Sequence, residues 1–334
     1  MALDLLVTLW PDFPHFKRFA TDYRLAGIRM NSAMANATTL SNELDIANSV
    51  IDPVPLYFDV KGNQLRVREA QEYSDHLELT LNHPIQAKTP TVVLFKAGAD
   101  YAVLDRIVDQ NHLVFQGGPH YRVKQGESLH IRNAGLKVLG PQFCDYEVGN
   151  IEKAMKAGIR KYFLSFVKSQ RDIDEFREYV GDSEIIAKIE DVDGLRYVAS
   201  EFKPQPNLSL MAARGDLYVE IDKPHQIMEA LKLIIKKDPQ AYVGSRILLS
   251  VIHEEVPSCA DFLEMAWLYD QGYHKMMLCD ELCLKENLLG RAINAFESFK
   301  RTYDHEPKIV VPAPKIVVPP KSLTARILGA FKPK

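Results

Sequence analysis

The chain has 334 residues, with 41 Lys and Arg against 44 Asp and Glu and a formal net charge of −3. That length can bury one core of about 250 residues and still carry a smaller module, while the near-balanced charge gives no global field for gathering nucleic acid and favours a small, water-soluble ligand. Four scattered cysteines, Cys144, Cys259, Cys279 and Cys283, lack the spacing of a zinc site or a disulfide framework and read as reduced thiols of a cytoplasmic protein, and neither a signal peptide nor a transmembrane segment is expected.

In chain order, short apolar or β-branched runs at 5–9, 27–30 and 56–59 predict the first three strands. A β-rich insert follows, from 68 to 135: Leu77-Glu78-Leu79-Thr80-Leu81 and His120-Tyr121-Arg122-Val123 alternate in polarity, and Gly98, Gly117-Gly118 and Gly126 mark turns. Five more strands are predicted at 162–166, 184–189, 208–213, 242–248 and 275–278. Between them, 148–157, 172–180, 223–235 and 261–271 have apolar residues at helical spacing. Eight such units predict an α/β fold, a closed (β/α)8 TIM barrel over 1–67 and 136–304, with the insert placed as a lid between strand three and helix three. Beyond Tyr303, Pro307 to Ala313 and a near copy at 314–320 predict a polyproline-like linker. Leu323, Ile327, Leu328 and Phe331 then recur at helical spacing, so 305–334 reads as a docking segment for a protein partner, an amphipathic membrane contact or a frayed end.

In a barrel of this kind the chemistry sits on whatever follows each strand's C-terminal end. Those positions hold Arg29 and Asn31, Asp59 and Lys61, Ser165 and Lys168, Lys188 and Glu190, Arg214 and Asp216, Ser245 and Arg246, and Asp280 and Glu281. So many polar groups at one end of an apolar barrel point to a functional face, although barrel ends are solvated and collect some such residues without function. Lys188 and Glu190, two apart on a strand, point the same way. With Asp216 they give two carboxylates and an ammonium, a set suited to Mg²⁺ or Mn²⁺ with substrate oxygens completing the shell; the plain alternative is a Lys–Glu salt bridge. His112, His120 and His130 read as surface histidines of the insert, and Cys279 and Cys283 as buried thiols beside the site.

Ala187-Lys188-Ile189-Glu190-Asp191 with Gly194, and Met211-Ala212-Ala213-Arg214-Gly215-Asp216-Leu217 with Val219-Glu220-Ile221, resemble the strand-five and strand-six signatures of the pyruvate kinase family. Gly27-Ile28-Arg29-Met30-Asn31, Phe58-Asp59-Val60-Lys61-Gly62 with Leu65-Arg66, and Leu164-Ser165-Phe166-Val167-Lys168 are similar to its second, third and fourth strand ends, in order. The resemblance covers about residues 5–300, without a counterpart of the family's C-terminal regulatory domain. It implies that Glu190 and Asp216 bind the divalent ion, which bridges the carboxylate and enol oxygen of phosphoenolpyruvate. It also implies that the backbone at Gly215 and Asp216, with Ser245, receives the substrate carboxylate, that Lys188 stabilises the developing charge and that Arg29 holds the phosphate. Asn31, Asp59, Ser165 and Arg66 complete the matched set. In the insert, Gly117-Gly118 places Lys124 on the nucleotide phosphates, whereas the downstream count puts Ala134 there.

The departures fall on the nucleotide side. Asn31 is followed by Ser32, Ala33 and Met34 instead of an aromatic, a serine and a histidine, and Val60 replaces a hydroxyl residue. Potassium dependence is therefore not expected. The motif Met277-Leu278-Cys279-Asp280-Glu281-Leu282 keeps the family's Glu but loses the neighbouring Gly and Thr. Three functions follow as expectations: an enzyme of phosphoenolpyruvate or pyruvate that transfers the phosphoryl group to a nucleotide or another acceptor; a metal-dependent 2-keto acid lyase or aldolase without nucleotide; and a non-catalytic relative recruited by its tail.

Overall fold

Eight runs of aliphatic and β-branched residues, each too short for a helix that could bury itself, pair in parallel and close on themselves. In the computed structural model, which describes residues 2–36, 38–50, 54–133 and 135–305, the barrel strands are Asp4–Thr8, Gly27–Asn31, Leu56–Val60, Lys161–Leu164, Glu184–Ile189, Leu208–Ala213, Tyr242–Gly244 and Lys275–Met277. They lie in sequence order around the barrel, and the first pairs with the last, Leu5 opposite Met276. Alternate side chains point inward, where Leu6, Tyr57, Phe163, Ile186, Met211, Tyr242 and Met277 fill the interior. The opposite faces, with Val7, Ile28, Phe58, Tyr162, Ala187 and Val243 among them, join the larger core beneath the helices.

Several strands stop sooner than their hydrophobic runs suggest. The seventh ends at Gly244, not 248, because Ser245, Arg246 and Leu248 take φ of 66°, 62° and 55°, a left-handed backbone that breaks the ladder. The fourth ends at Leu164, where Phe166 has φ 51°. Ser165 and Ser245 thus sit on loops at the strand ends. The expected helix at 223–235 is split: Pro224 opens a 3₁₀ turn, Pro224–Gln226, and the α-helix runs Ile227–Lys237.

Between the third and fourth barrel strands the chain builds a six-stranded sheet in the order Leu129–Ile131, Thr91–Phe95, Asp100–Val108, His112–Gln116, His76–Leu81, Val67–Glu72, paired antiparallel throughout. Leu77, Leu79 and Leu81 face its private core with Val93, Phe95 and Leu104, as their alternation requires. The stretch 120–123 is not a strand. There, His120 donates its N–H to Asp100 Oδ2 at 2.8 Å and Tyr121 its hydroxyl to Glu127 at 2.6 Å, so side chains replace the ladder. Residues 306–334, which hold the expected linker and terminal segment, lie outside the described part. Among the described residues no helix is long and apolar enough to cross a membrane.

One glycine fixes how a loop meets the barrel. Gly194 lies in the first turn of the helix Val192–Ser200, its N–H bonded to Asp191 Oδ1 at 2.7 Å, and a Cβ there would stand 2.8 Å from the carbonyl oxygen of Val167. Helix propensity alone would favour alanine by about 1 kcal/mol. Backbone crowding should outweigh it, so Gly194→Ala is expected to lower stability by about 1–3 kcal/mol in urea denaturation; a stabilised variant would contradict this packing.

Candidate functional site

Strand ends two to eight deliver a buried ionic network to one mouth of the barrel. Its centre is Asp59, fully buried at the end of the third strand. Arg29 donates Nε to Asp59 Oδ2 at 2.6 Å and pairs with it through Nη2, Lys61 Nζ lies 3.0 Å away and Lys188 Nζ 3.7 Å. Burial would raise the Asp59 carboxyl, but Arg29, Lys188 and Lys61 together hold it far below the usual carboxylate range. Lys61 is pulled the other way: its burial, only partly offset by Asp59, lowers its ammonium below the ordinary lysine value.

Lys188 and Glu190 do share a side of the fifth strand. Lys188 Nζ is 2.9 Å from Glu190 Oε1 and donates to Ser165 Oγ at 2.9 Å, while Ser165 Oγ reaches Asp59 Oδ1 at 3.3 Å. The second Glu190 oxygen accepts the Phe166 N–H at 2.7 Å, a bond made possible by the left-handed turn there. Burial raises the Glu190 carboxyl; Lys188 opposes and neighbouring Asp216 adds, and the net shift is upward. Asp216, in the first turn of the helix Arg214–Glu220, is held low, since His130 and Lys188 outweigh its burial. Gln64 donates to its Oδ2 at 3.4 Å. Gly215 leaves room for Ser245, because a Cβ there would lie 3.2 Å from its Oγ and press it aside. The bare backbone of Gly215 and the Ser245 hydroxyl are thereby brought side by side.

These groups line one polar cavity of about 230 Å³, walled by Arg29, Asn31, Lys61, Arg66, Lys188, Glu190, Gly215, Asp216, Ser245, Asp280 and Glu281. The insert contributes Ala97 and Ser128 to the same wall. A wider cleft of about 770 Å³ shares Lys61 and Arg66 with it and extends past Ser32, Asn36, Arg68, Tyr146 and Glu147. Glu147 fixes the loop between the two by accepting the N–H groups of Lys61 and Gly62, both at 3.0 Å, and burial pushes its carboxyl up to about 7.

Other residues expected at the site are elsewhere. Lys124 is exposed on the insert and lines neither space. Arg214 turns away to Glu264 at 2.6 Å and to the Ser245 carbonyl at 2.5 Å. Arg246 stacks over the Tyr218 ring, 4.7 Å from its centre, and Lys168 pairs with Asp191 at 2.7 Å. These three support loops; they do not face a ligand.

His130 corrects the surface reading. It is 2 % exposed, with Nδ1 2.5 Å from Glu220 Oε1 and Nε2 3.3 Å from Asp216 Oδ1, the latter without an aligned hydrogen bond. His112 is half-buried and His120 exposed, resting on Glu78 at 3.2 Å and Asp100 at 3.0 Å respectively. The signal that could have singled out His130 is its place in the Leu129–Ile131 strand between two buried apolar neighbours. Burial lowers its basicity, but Asp216 and Glu220 prevail and push it up to about 10 from 6.5. This contribution to stability is complete below the unfolded value near 6.5 and is lost as pH rises through about 10. His130→Gln should thus cost roughly 2 kcal/mol at about pH 6 and progressively less towards about pH 11. Equal losses at both ends, by chemical denaturation, would show that the ring acts by packing alone.

Comparison with known proteins shows what this barrel is similar to. The pyruvate kinase barrel-domain family model matches residues 123–281, just under half of the chain. Pyruvate kinases of Methanocaldococcus jannaschii and Thermoplasma acidophilum are each 24% identical to it, over 83% and 84% of this chain and 64% and 54% of their own length. The chain is a divergent pyruvate kinase-like protein. A further pyruvate kinase, from Agaricus bisporus, is 24% identical over 83% of this chain and 59% of its own. The pyruvate kinase-like barrel accordingly spans between about half and two thirds of the length of these curated relatives.

Proposed function

We propose that this pyruvate kinase-like chain is an enzyme of phosphoenolpyruvate, pyruvate or a related 2-keto acid, working through an enolate and dependent on a divalent ion. The observation that carries this reading is the Lys188 ammonium 2.9 Å from Glu190, with the Asp216 carboxyl beside it, in a polar cavity at the barrel's C-terminal mouth. The donor set fits Mg²⁺ or Mn²⁺: two neighbouring buried carboxyls repel, Glu190 is driven towards its neutral form, and a divalent cation would replace that proton. Among the described residues no cluster of three or more metal-ligating side chains exists, so substrate oxygens would complete the shell. When bound, the ion would supply positive charge opposite a developing enol oxygen.

The chain's own groups do the remainder. Gly215 and Ser245 present an N–H and a hydroxyl to the substrate carboxylate. Lys188, kept charged by Asp59 and Glu190 despite its burial, offers its ammonium to the enolate. The insert, which contacts the sixth-strand helix through His130 and through Arg132 on the Val219 carbonyl, serves as a lid that excludes water. A nucleotide-free lyase or aldolase is the second reading, favoured by the exposed Lys124 and by the small, uncharged Ser32 and Ala33 in the adjoining cleft. Both readings share one test. With Mg²⁺ or Mn²⁺ the protein should exchange pyruvate methyl protons with deuterated water, followed by NMR. Absence of exchange with either ion would contradict both.

A further inference from the structure

Just past the eighth strand an acidic residue, Asp280, stands in the pocket wall. Asp280 is clamped by three donors: Arg29 Nη1 at 2.6 Å and the Thr8 hydroxyl at 2.8 Å on one oxygen, and the Asn31 amide at 2.7 Å on the other. Its side chain is 30% exposed, towards the cavity, whereas Asp59 on the far side of the same guanidinium is 0% exposed. Arg29 therefore spends Nε and Nη2 on Asp59 and Nη1 on Asp280 and Thr8. A guanidinium that serves two carboxylates has little charge or donor capacity left for a third anion.

We infer that Asp280 is a positioning residue that withholds Arg29 from the substrate, so that the pocket accepts an unphosphorylated 2-keto acid in preference to its enol phosphate. This rests on the enolate reading and narrows its substrate class. Charge in the wall agrees. Lys188 pairs with Glu190, Lys61 with Asp59, and Arg29 with Asp59 and Asp280, while the Arg66 guanidinium bonds to Gln64 and the Gly126 carbonyl, with no carboxylate within ion-pair distance among the described residues. Arg66 is thus the wall guanidinium left for a ligand carboxylate, and with Asp216 and Glu281 also in the wall one added negative charge is accommodated more readily than several. A phosphate carrying further negative charge would have to displace Asp280 from Arg29 and then lie against the freed carboxylate.

The test is an NMR ligand titration with Mg²⁺, using pyruvate and phosphoenolpyruvate on the full chain, with melting curves to verify folding. The wild-type protein should bind pyruvate at least as tightly as phosphoenolpyruvate. In Asp280→Asn the ratio should move at least tenfold towards phosphoenolpyruvate, and Asp280→Glu, which restores the carboxylate, should return it towards the wild-type ratio. Tighter binding of phosphoenolpyruvate by the wild type, or an unaltered ratio in a folded Asp280→Asn, would overturn the inference. The wild-type comparison decides the matter even if that variant does not fold. Pyruvate proton exchange separates the two claims: exchange with no ratio shift removes only the role of Asp280, and a ratio shift without exchange removes the enolate reading.

Discussion

Lys188→Ala and Glu190→Gln are each expected to reduce divalent-dependent pyruvate proton exchange by about 10²–10³-fold, the usual effect of deleting one preorganised charge at a reacting oxygen. The two variants fail for different reasons. Alanine removes the ammonium 2.9 Å from Glu190 and leaves the Ser165 hydroxyl without its donor. Glutamine keeps the shape and the bond from the Phe166 N–H, but cannot carry the negative charge a cation requires. Raising the Mn²⁺ concentration should consequently recover part of the Glu190→Gln loss and none of the Lys188→Ala loss. Recovery in both, or in neither, would mean that the ammonium and the carboxylate have been given the wrong roles.

Asp59→Asn should be the most damaging single change to stability, by about 3–5 kcal/mol, because removing one partner from a buried ion cluster leaves uncompensated charge in place. Three cations meet on this carboxylate, and Lys61 is already driven below its ordinary value by burial. Without Asp59, Lys61 would tend to shed its proton. A urea titration gives the loss directly, and Asp59→Asn combined with Lys61→Met should cost less than the single change. If the double variant is the worse of the two, the cluster is not held by charge in the way described.

The barrel was legible because its evidence is periodic. Each βα unit repeats an apolar run and an amphipathic stretch, and Leu77, Leu79 and Leu81 likewise announce their strand by alternation. Lys188, Glu190 and Asp216 were legible because chemistry-bearing residues fall at strand ends, where the fold has only one place to put them. Strand ends themselves were not: the seventh stops where φ turns positive at Ser245, which its apolar run does not reveal. The network around Arg29 escaped for another reason. Thr8, Asp59 and Asp280 are up to 272 positions apart and meet only through closure of the first strand against the last. His130 escaped because one histidine in an alternating strand says nothing of what stands opposite, and Glu220 and Asp216 arrive from a helix about 90 positions downstream.

Diffraction from crystals grown with Mn²⁺ and oxalate, recorded for the anomalous signal of manganese, addresses the central claim most directly. A single peak is expected between the Glu190 and Asp216 carboxylates, with Lys188 Nζ turned to an oxalate oxygen and the oxalate lying against Gly215 and Ser245. Manganese found elsewhere, or a Glu190 still bonded only to Lys188 and the Phe166 amide with Asp216 kept by His130, would contradict it.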